Sequence, residues 1–146
     1  MNILVTGVGG APGMGCVESL RLEFADKHKI IGIDSSNFSP EFYRGNLDSK
    51  YITPRYDSPK YLNEILDICD KEKVDIIFPC TDHEIFPLSK HKKDFEGKGI
   101  KVIISPYDTI QLCRDKWLCF KRVKNKLPFV QSFDDIEEAA DFGFPL

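Results

Sequence analysis

The chain begins with a short apolar run, Ile3-Leu4-Val5, which ends at Thr6 in a glycine cluster, Gly7-Val8-Gly9-Gly10-Ala11-Pro12-Gly13-Met14-Gly15. The next apolar residues, Val17, Leu20 and Phe24, recur at helical spacing, and the periodicity predicts a helix over 14–27. A brief apolar strand, a glycine turn and an amphipathic helix are the opening of a parallel sheet, because such a strand is covered on both faces and its parallel neighbour needs a crossover connection. This one feature limits what the remaining residues can build.

They comply by alternating. A β-branched run at 29–33 predicts a second strand, closed by Asp34 and Ser35-Ser36-Asn37. Residues 38–56 hold Pro40, Gly45 and Pro54, and predict a long loop with one edge strand at Tyr51-Ile52-Thr53. Ser58-Pro59 reads as a cap with proline in the first turn of a helix whose face carries Tyr61, Leu62, Ile65, Leu66 and Cys69, before Lys71 and Lys73. Strands at 74–78 and 100–104 flank a helix at 85–95. Ser105-Pro106 repeats the capped start for a helix running to about 126 with Trp117, Phe120 and Val123 inward. A last helix is expected over 132–142, with Ser132 as cap, Ile136, Ala139 and Ala140 inward, and Gly143 as its stop. The fold class is therefore α/β, a doubly wound parallel sheet.

Composition narrows the functional classes. With 42% apolar and 12% aromatic residues in 146, the chain can bury a core, and disorder is excluded for most of it. A net charge of -3 supplies no positive field for nucleic acid or an anionic membrane. No apolar run is long enough to cross a bilayer, and Met1-Asn2 leads into the first strand without a basic leader, so the expected location is cytoplasmic. Cys16, Cys69, Cys80, Cys113 and Cys119 form an odd set without a C-x-x-C pair and read as buried thiols in a reducing compartment. His28, His83 and His91 lack paired ligand spacing, so no metal site is expected.

Three clusters bear on chemistry. In the glycine loop, the start of the following helix can offer free N–H groups to an anion. The G-x-G-x-x-G pattern fails, since Pro12 takes its third glycine, but Thr6, Gly7, Gly10 and Gly13 satisfy T-G-x-x-G-x-x-G. That pattern resembles the fingerprint of epimerase-like short-chain dehydrogenases, in which Asp34 would hold a ribose hydroxyl. Gly9 belongs to the same loop. The alternative is a tight turn that packs helix on sheet and binds nothing. Tyr56 and Lys60 fit Y-x-x-x-K, a match that the intervening Pro59 marks as chance.

The second cluster, Pro79-Cys80-Thr81-Asp82-His83-Glu84, falls at the carboxyl edge of the sheet, where open α/β folds bind ligands. Asp82 and Glu84 there either meet a substrate group or follow a helix cap at Thr81 or Asp82, where the helix dipole favours acids. Lys116, in Arg114-Asp115-Lys116, either reaches a phosphate or forms a solvated pair with its neighbour.

Taken in order, Ile3-Leu4-Val5-Thr6-Gly7, Ile33-Asp34, Pro54, Ile76-Ile77-Phe78-Pro79 with Thr81-Asp82-His83-Glu84, Asp115-Lys116 and Phe142-Gly143-Phe144-Pro145 resemble the N-terminal segment of ATP-grasp ligases, in particular proteins like the carbamoyl phosphate synthase large subunit. The resemblance implies a Rossmann-like pre-ATP-grasp domain over 1–128 and the start of the ATP-grasp region over 129–146, with the chain an N-terminal piece of a longer enzyme. It implies ligation of a carboxylate to an amine through an acyl phosphate, with ATP and Mg2+ gripped by a downstream ATP-grasp domain and neither bound tightly here. On this reading the chain holds no catalytic residue. Lys116 matches a position that contacts nucleotide phosphate. Gly7, Gly9, Gly10, Gly13, Asp34, Thr81, Asp82 and Glu84 would form the side facing a small carboxylate or amine substrate. Self-association into a homodimer is left open. Cys80 and His83 depart from the family's acidic motif. The alternative is the NAD(P)-binding domain of an epimerase-like dehydrogenase.

Overall fold

A computed structural model describes residues 1–128 and 130–142, which fall into two compact units, Met1–Pro106 and a second beginning at Tyr107. The first unit runs β1 (Asn2–Thr6), α1 (Ala11–Phe24), β2 (Lys29–Asp34), a 3-10 turn at Pro40–Tyr43, β3 (Ser49–Ile52), α2 (Tyr61–Glu72), β4 (Ile76–Phe78), α3 (Asp82–Lys90), α4 (Lys92–Glu96) and β5 (Lys101–Val102). Its five strands lie in the order β3-β2-β1-β4-β5, all parallel. The doubly wound α/β sheet is as the sequence predicts.

Alternation along each strand divides the core into two layers. Leu4, Ile31, Ile33 and Ile77 face one side and pack with Tyr61, Ile65 and Ile68 of α2, Leu88 of α3 and Phe95 of α4. Ile3, Val5 and Ile30 face the other side, against Val17 of α1 and Phe42 of the 3-10 turn. Most of these side chains are fully buried, and each is worth roughly 1.5–3 kcal/mol. β1 pairs with β2 on one edge and β4 on the other, Ile3 opposite both Ile30 and Ile76. The chain reverses its winding between β1 and β4, and their carboxyl ends lie side by side.

Several boundaries move, each for a local reason. α1 starts at Ala11 because Gly10 caps it and Pro12 lies within the first turn, where no amide bond is lost. α2 starts at Tyr61: the Ser58 carbonyl accepts from Tyr61 N at 3.1 Å, so Ser58-Pro59 forms a turn ahead of the helix. β4 and β5 are shorter than predicted because the flanking amides finish helices. Val74 N donates to Cys69 O after Lys73 adopts a left-handed φ of 53°, and Ile100 N donates to Phe95 O. The predicted helix over 85–95 is two helices, broken at His91, whose Nδ1 pairs with Asp94 at 2.9 Å. The loop over 38–56 holds the 3-10 turn, and its strand begins at Ser49.

In the second unit the helix predicted to run to about 126 is broken into α5 (Tyr107–Arg114) and α6 (Lys116–Val123), because Asp115 leaves helical geometry and accepts from Leu118 N at 2.9 Å. α7 (Ile136–Phe142) is capped by Asp135, whose Oδ1 accepts from Glu137 N and Glu138 N at 2.8 and 3.0 Å, and not by Ser132. Ile136, expected inward, is 84% exposed. The predicted stop at Gly143 and the segment Gly143-Phe144-Pro145-Leu146 lie outside the described residues, as does Phe129. The cysteines are not uniformly buried: Cys69 is buried, Cys16, Cys80 and Cys119 are half-buried, and Cys113 is exposed.

Gly13 sits where α1 meets the glycine loop, and a Cβ there would lie 2.8 Å from the Gly7 carbonyl carbon. Glycine to alanine normally favours a helix by about 1 kcal/mol. Gly13→Ala is expected to reverse that sign and destabilise by about 1–3 kcal/mol, read from urea unfolding, because the clash is with backbone that cannot step aside.

At β2, Lys29 Nζ meets Glu72 Oε2 at 2.5 Å and the Tyr51 hydroxyl donates to Oε1 of the same carboxylate. The Lys29 bond, then the Tyr51 bond, hold the Glu72 carboxyl below its usual range. A lowered folded-state value gives stability that is present above the ordinary glutamate range and lost as pH falls through the folded value. Glu72→Gln is expected to flatten the acid limb of a plot of unfolding midpoint against pH, relative to the parent chain.

Candidate functional site

Gly7 ends β1 in the left-handed region, φ 60°, and Gly10 N donates back to its carbonyl at 3.1 Å, which closes a tight turn ahead of α1. Beyond the end of β4, Thr81 caps α3 and stands against Gly7: a Cβ on Gly7 would lie 3.6 Å from Thr81 Cβ and 3.0 Å from Glu84 Oε2. Glycine is thus required twice over at this position, by conformation and by space.

Glu84 is the centre of this junction. It is 8% exposed, and three hydroxyls donate to its carboxylate: Thr6 and Thr81 to Oε2 at 2.8 and 2.7 Å, and Tyr61 to Oε1 at 2.9 Å. Burial first, and then the neighbouring Glu84 charge, push the Tyr61 phenol far above its usual range, so it remains a donor. Thr6 Oγ1 in turn accepts from Cys80 N at 3.3 Å. A buried carboxylate is tolerated when its lone pairs are filled, and here β1, α2 and the start of α3 each supply a donor.

A second carboxylate closes the other side of the loop. Asp34, at the end of β2, accepts from Gly9 N at 2.7 Å and from Ser36 N at 2.9 Å. Gly9 is also pressed against Ser39, whose Oγ would lie 2.6 Å from a Cβ at that position.

Between these groups lies a pocket of about 290 Å³ lined by Gly7, Gly10, Asp34, Thr81, Glu84 and residues after β3. Residues after β3 stack on one from α3 at this pocket. His83 lies parallel to Tyr56, ring centroids 4.7 Å apart at 9°, and the Arg55 guanidinium covers the Tyr56 ring at 5.7 Å. The pocket opens at the carboxyl edge of the sheet, beside the point where winding reverses, the location at which open α/β sheets bind ligands.

Five of the residues singled out in the sequence, Gly7, Gly10, Asp34, Thr81 and Glu84, meet here. Gly9 and Gly13 serve packing of the loop. Asp82 is exposed in the first turn of α3, and Thr81, not Asp82, is the cap. Lys116 belongs to the second unit, exposed at the start of α6 beside a hollow of about 540 Å³ that it shares with Gln111, Arg114 and Asp115. Tyr61 and Arg55 escaped the sequence reading as site residues. Tyr61 was absorbed into the apolar face of its helix, although a phenol on that face needs a buried partner. Arg55 follows an edge strand whose carboxyl end the topology alone brings to the pocket.

Among the described residues no group of three or more histidines, cysteines or acids is arranged to hold a metal ion. The Glu84 carboxylate stands on the inner side of the Gly7 turn, and each Asp34 oxygen accepts one backbone amide.

The PylC-like N-terminal domain family matches residues 3–103. The chain belongs to this family. The match covers the sheet and helices of the first unit, which have a Rossmann-like fold. Among solved structures, the biotin carboxylase domain of the Hydrogenobacter thermophilus 2-oxoglutarate carboxylase aligns with 99% of this chain and 33% of its own, at 22% identity and a TM-score of 0.60. The multifunctional pyruvate carboxylase of Rhizobium etli aligns with 91% of this chain and 13% of its own, at 16% identity and a TM-score of 0.60. A Bacillus anthracis dTDP-glucose 4,6-dehydratase in complex with NAD also shares the fold, at 14% identity and a TM-score of 0.55 over 86% of this chain and 51% of its own. A curated dTDP-glucose 4,6-dehydratase of Neisseria gonorrhoeae is 35% identical over 77 residues, 53% of this chain and 20% of that protein. The chain therefore spans about a fifth of that relative and a third or less of the two carboxylases. At these identities the structural likenesses speak to fold.

The hydroxyl cluster makes a sharp prediction. Tyr61→Phe removes one donor and is expected to cost about 1–2 kcal/mol, whereas Glu84→Ala strands the hydroxyls of Thr6 and Tyr61 in the interior and is expected to cost about 2–4 kcal/mol. Denaturant unfolding of the two variants measures the difference. A Glu84→Ala protein as stable as the parent would remove the carboxylate from its central place.

Proposed function

We propose that this chain is the substrate-side N-terminal domain of an ATP-dependent ligase that joins a carboxylate to an amine, carbamoyl phosphate synthase-like in its chemistry, and that it completes no reaction by itself. The observation that carries this reading is the Glu84 carboxylate beside Gly7. It gives the pocket beside the glycine loop a buried, fixed acidic wall. Membership of the PylC-like N-terminal domain family over residues 3–103 supports the same direction.

In this proposal Gly7, Gly9, Gly10 and Gly13 shape the loop, Asp34 and Glu84 fix its two sides, and Thr81 and Asp82 form the rim from α3. The pocket takes a small carboxylate or amine. ATP and Mg2+ bind to a downstream ATP-grasp domain of the same polypeptide. Lys116 is this chain's contribution to the nucleotide phosphates. Bound there, ATP would supply the phosphoryl group that activates the carboxylate, and cationic side chains and the ion would stabilise its transfer. The Rossmann-like domain extends over 1–128, the ATP-grasp region begins within 129–146, and the protein works in the cytoplasm, as a homodimer if it self-associates.

A second reading, the NAD(P)-binding domain of an epimerase-like dehydrogenase, draws support from the 35% identity over 77 residues to the gonococcal dehydratase. The two differ in a cheap experiment. Calorimetric titration is expected to give no tight binding of NAD or NADP and weak binding of MgATP. Micromolar binding of either nicotinamide dinucleotide, lost in Asp34→Ala, would overturn the ligase reading in favour of the dehydrogenase.

A further inference from the structure

β3 is the end strand of the sheet and pairs with β2 on one side, so its other side presents backbone amides and carbonyls without a strand to bond them. The devices that usually blunt such an edge are weak here. Its register with β2 runs residue for residue from Ser49 to Ile52 without a bulge, and the next proline is Pro54, beyond the strand. Lys50, the charged residue of the strand, folds back onto the preceding 3-10 turn. There its Nζ donates to the Phe42 carbonyl at 2.5 Å and lies 5.0 Å from the centre of the Tyr43 ring.

Beside this edge lies a second cavity, of about 330 Å³, lined by Asn37, Phe42, Tyr43, Lys50, Tyr51 and Ile52, none of which lines the pocket at Gly7. Tyr43 and Ile52 are 71% and 58% exposed, and Phe38, next to Asn37 in the chain, is 82% exposed. Large apolar groups therefore gather at an open strand. The charge there is one-sided. Side chains alternate along β3, so Lys50 and Ile52 lie on the face of the 3-10 turn, and Tyr51 lies on the face of α2, where Lys71 Nζ stands 4.8 Å from its ring centre. Each face of the edge thus carries an ammonium over an aromatic ring. The acids around β3 are already paired: Asp48 with Arg21, Asp57 with Arg55, Glu72 with Lys29 and Glu41 with Arg44.

We propose that β3 docks an extended acidic segment of a partner protein, which adds to the five-stranded sheet as a further strand. The backbone of the segment takes up the free donors and acceptors of β3. One large apolar side chain enters the cavity beside the 3-10 turn, and acidic side chains meet Lys50 on one face and Lys71 on the other. Lys50 keeps further N–H groups beyond the one given to the Phe42 carbonyl, so it can still bind a carboxylate. A second copy of this chain fits less well, because two symmetry-related edges would set Lys50 and Lys71 among their own counterparts, like charge facing like. The docking edge stands apart from the pocket at Gly7, so the proposal survives failure of the ligase reading.

The test titrates the whole chain into a fluorescein-labelled, N-acetylated peptide of sequence Thr-Glu-Glu-Phe-Glu-Glu-Thr and follows polarisation. The expected result is saturable binding that weakens several-fold as sodium chloride is raised. Lys71→Glu, a change at an exposed residue, should also weaken it several-fold. The same peptide with lysine for each glutamate should bind several-fold more weakly than the glutamate peptide, and one N-methylated at every amide, which cannot donate to a strand, should not bind. Amide chemical shifts of the nitrogen-labelled chain should move between Asn37 and Ile52 and stay fixed between Gly7 and Gly13. Absence of binding at millimolar peptide, equal binding of the glutamate and lysine peptides, undiminished binding of the N-methylated peptide, or shifts at the Gly7 pocket in place of β3 would overturn the proposal. So would sedimentation showing that the chain pairs with itself through β3, which would assign the edge to a second copy. The peptide series on the parent chain decides this even if Lys71→Glu folds poorly.

Discussion

The buried carboxylate of Glu84 ties together the parts of the first unit that reach the sheet's carboxyl edge. Its acceptors are filled by Thr6 at the end of β1, Tyr61 at the start of α2 and Thr81 at the cap of α3. These elements are far apart in sequence and meet because parallel pairing of β1 with β4 brings their exits together. A carboxylate without such donors would be forced back to solvent by its desolvation cost. With them, it fixes the separation of the two loops, and the side chain that stabilises the fold is also the wall of the pocket.

This double use explains why the same loop supports two readings. Backbone shape alone, a glycine turn leading into a helix, suits an anion in either. The side chains add charge to that shape. Glu84 brings negative charge to the inner side of Gly7, and Asp34 accepts from the amides of Gly9 and Ser36. Arg55, Tyr56 and His83 line the same pocket, so acidic, cationic and aromatic groups meet around one small volume.

The alternation of strand and helix was readable because it rests on local periodicity, and the winding follows from it. Helix ends were less legible. Asp115 breaks one predicted helix by capping the next, and Asp135 displaces Ser132, in both cases because a nearby carboxylate competes for the same first-turn amides. At the site, the sequence located Gly7, Asp34, Thr81 and Glu84 through their positions after strands. It could not assign Tyr61, since a helical stripe shows which residues face inward but not where a phenol on that stripe finds its acceptor. Nor could it show Arg55 and His83 both in contact with the Tyr56 ring, because that depends on the edge strand lying beside β2.

The fold is shared with biotin carboxylases and with an NAD-bound dehydratase at comparable TM-scores, 0.60 and 0.55, so architecture alone does not separate ligase from dehydrogenase. The side chains around the loop are shared between pocket and fold. Glu84 stands against Gly7 and accepts from Thr6, Tyr61 and Thr81, so any substitution that opens the space beside Gly7 also loosens the junction that joins β1, α2 and α3.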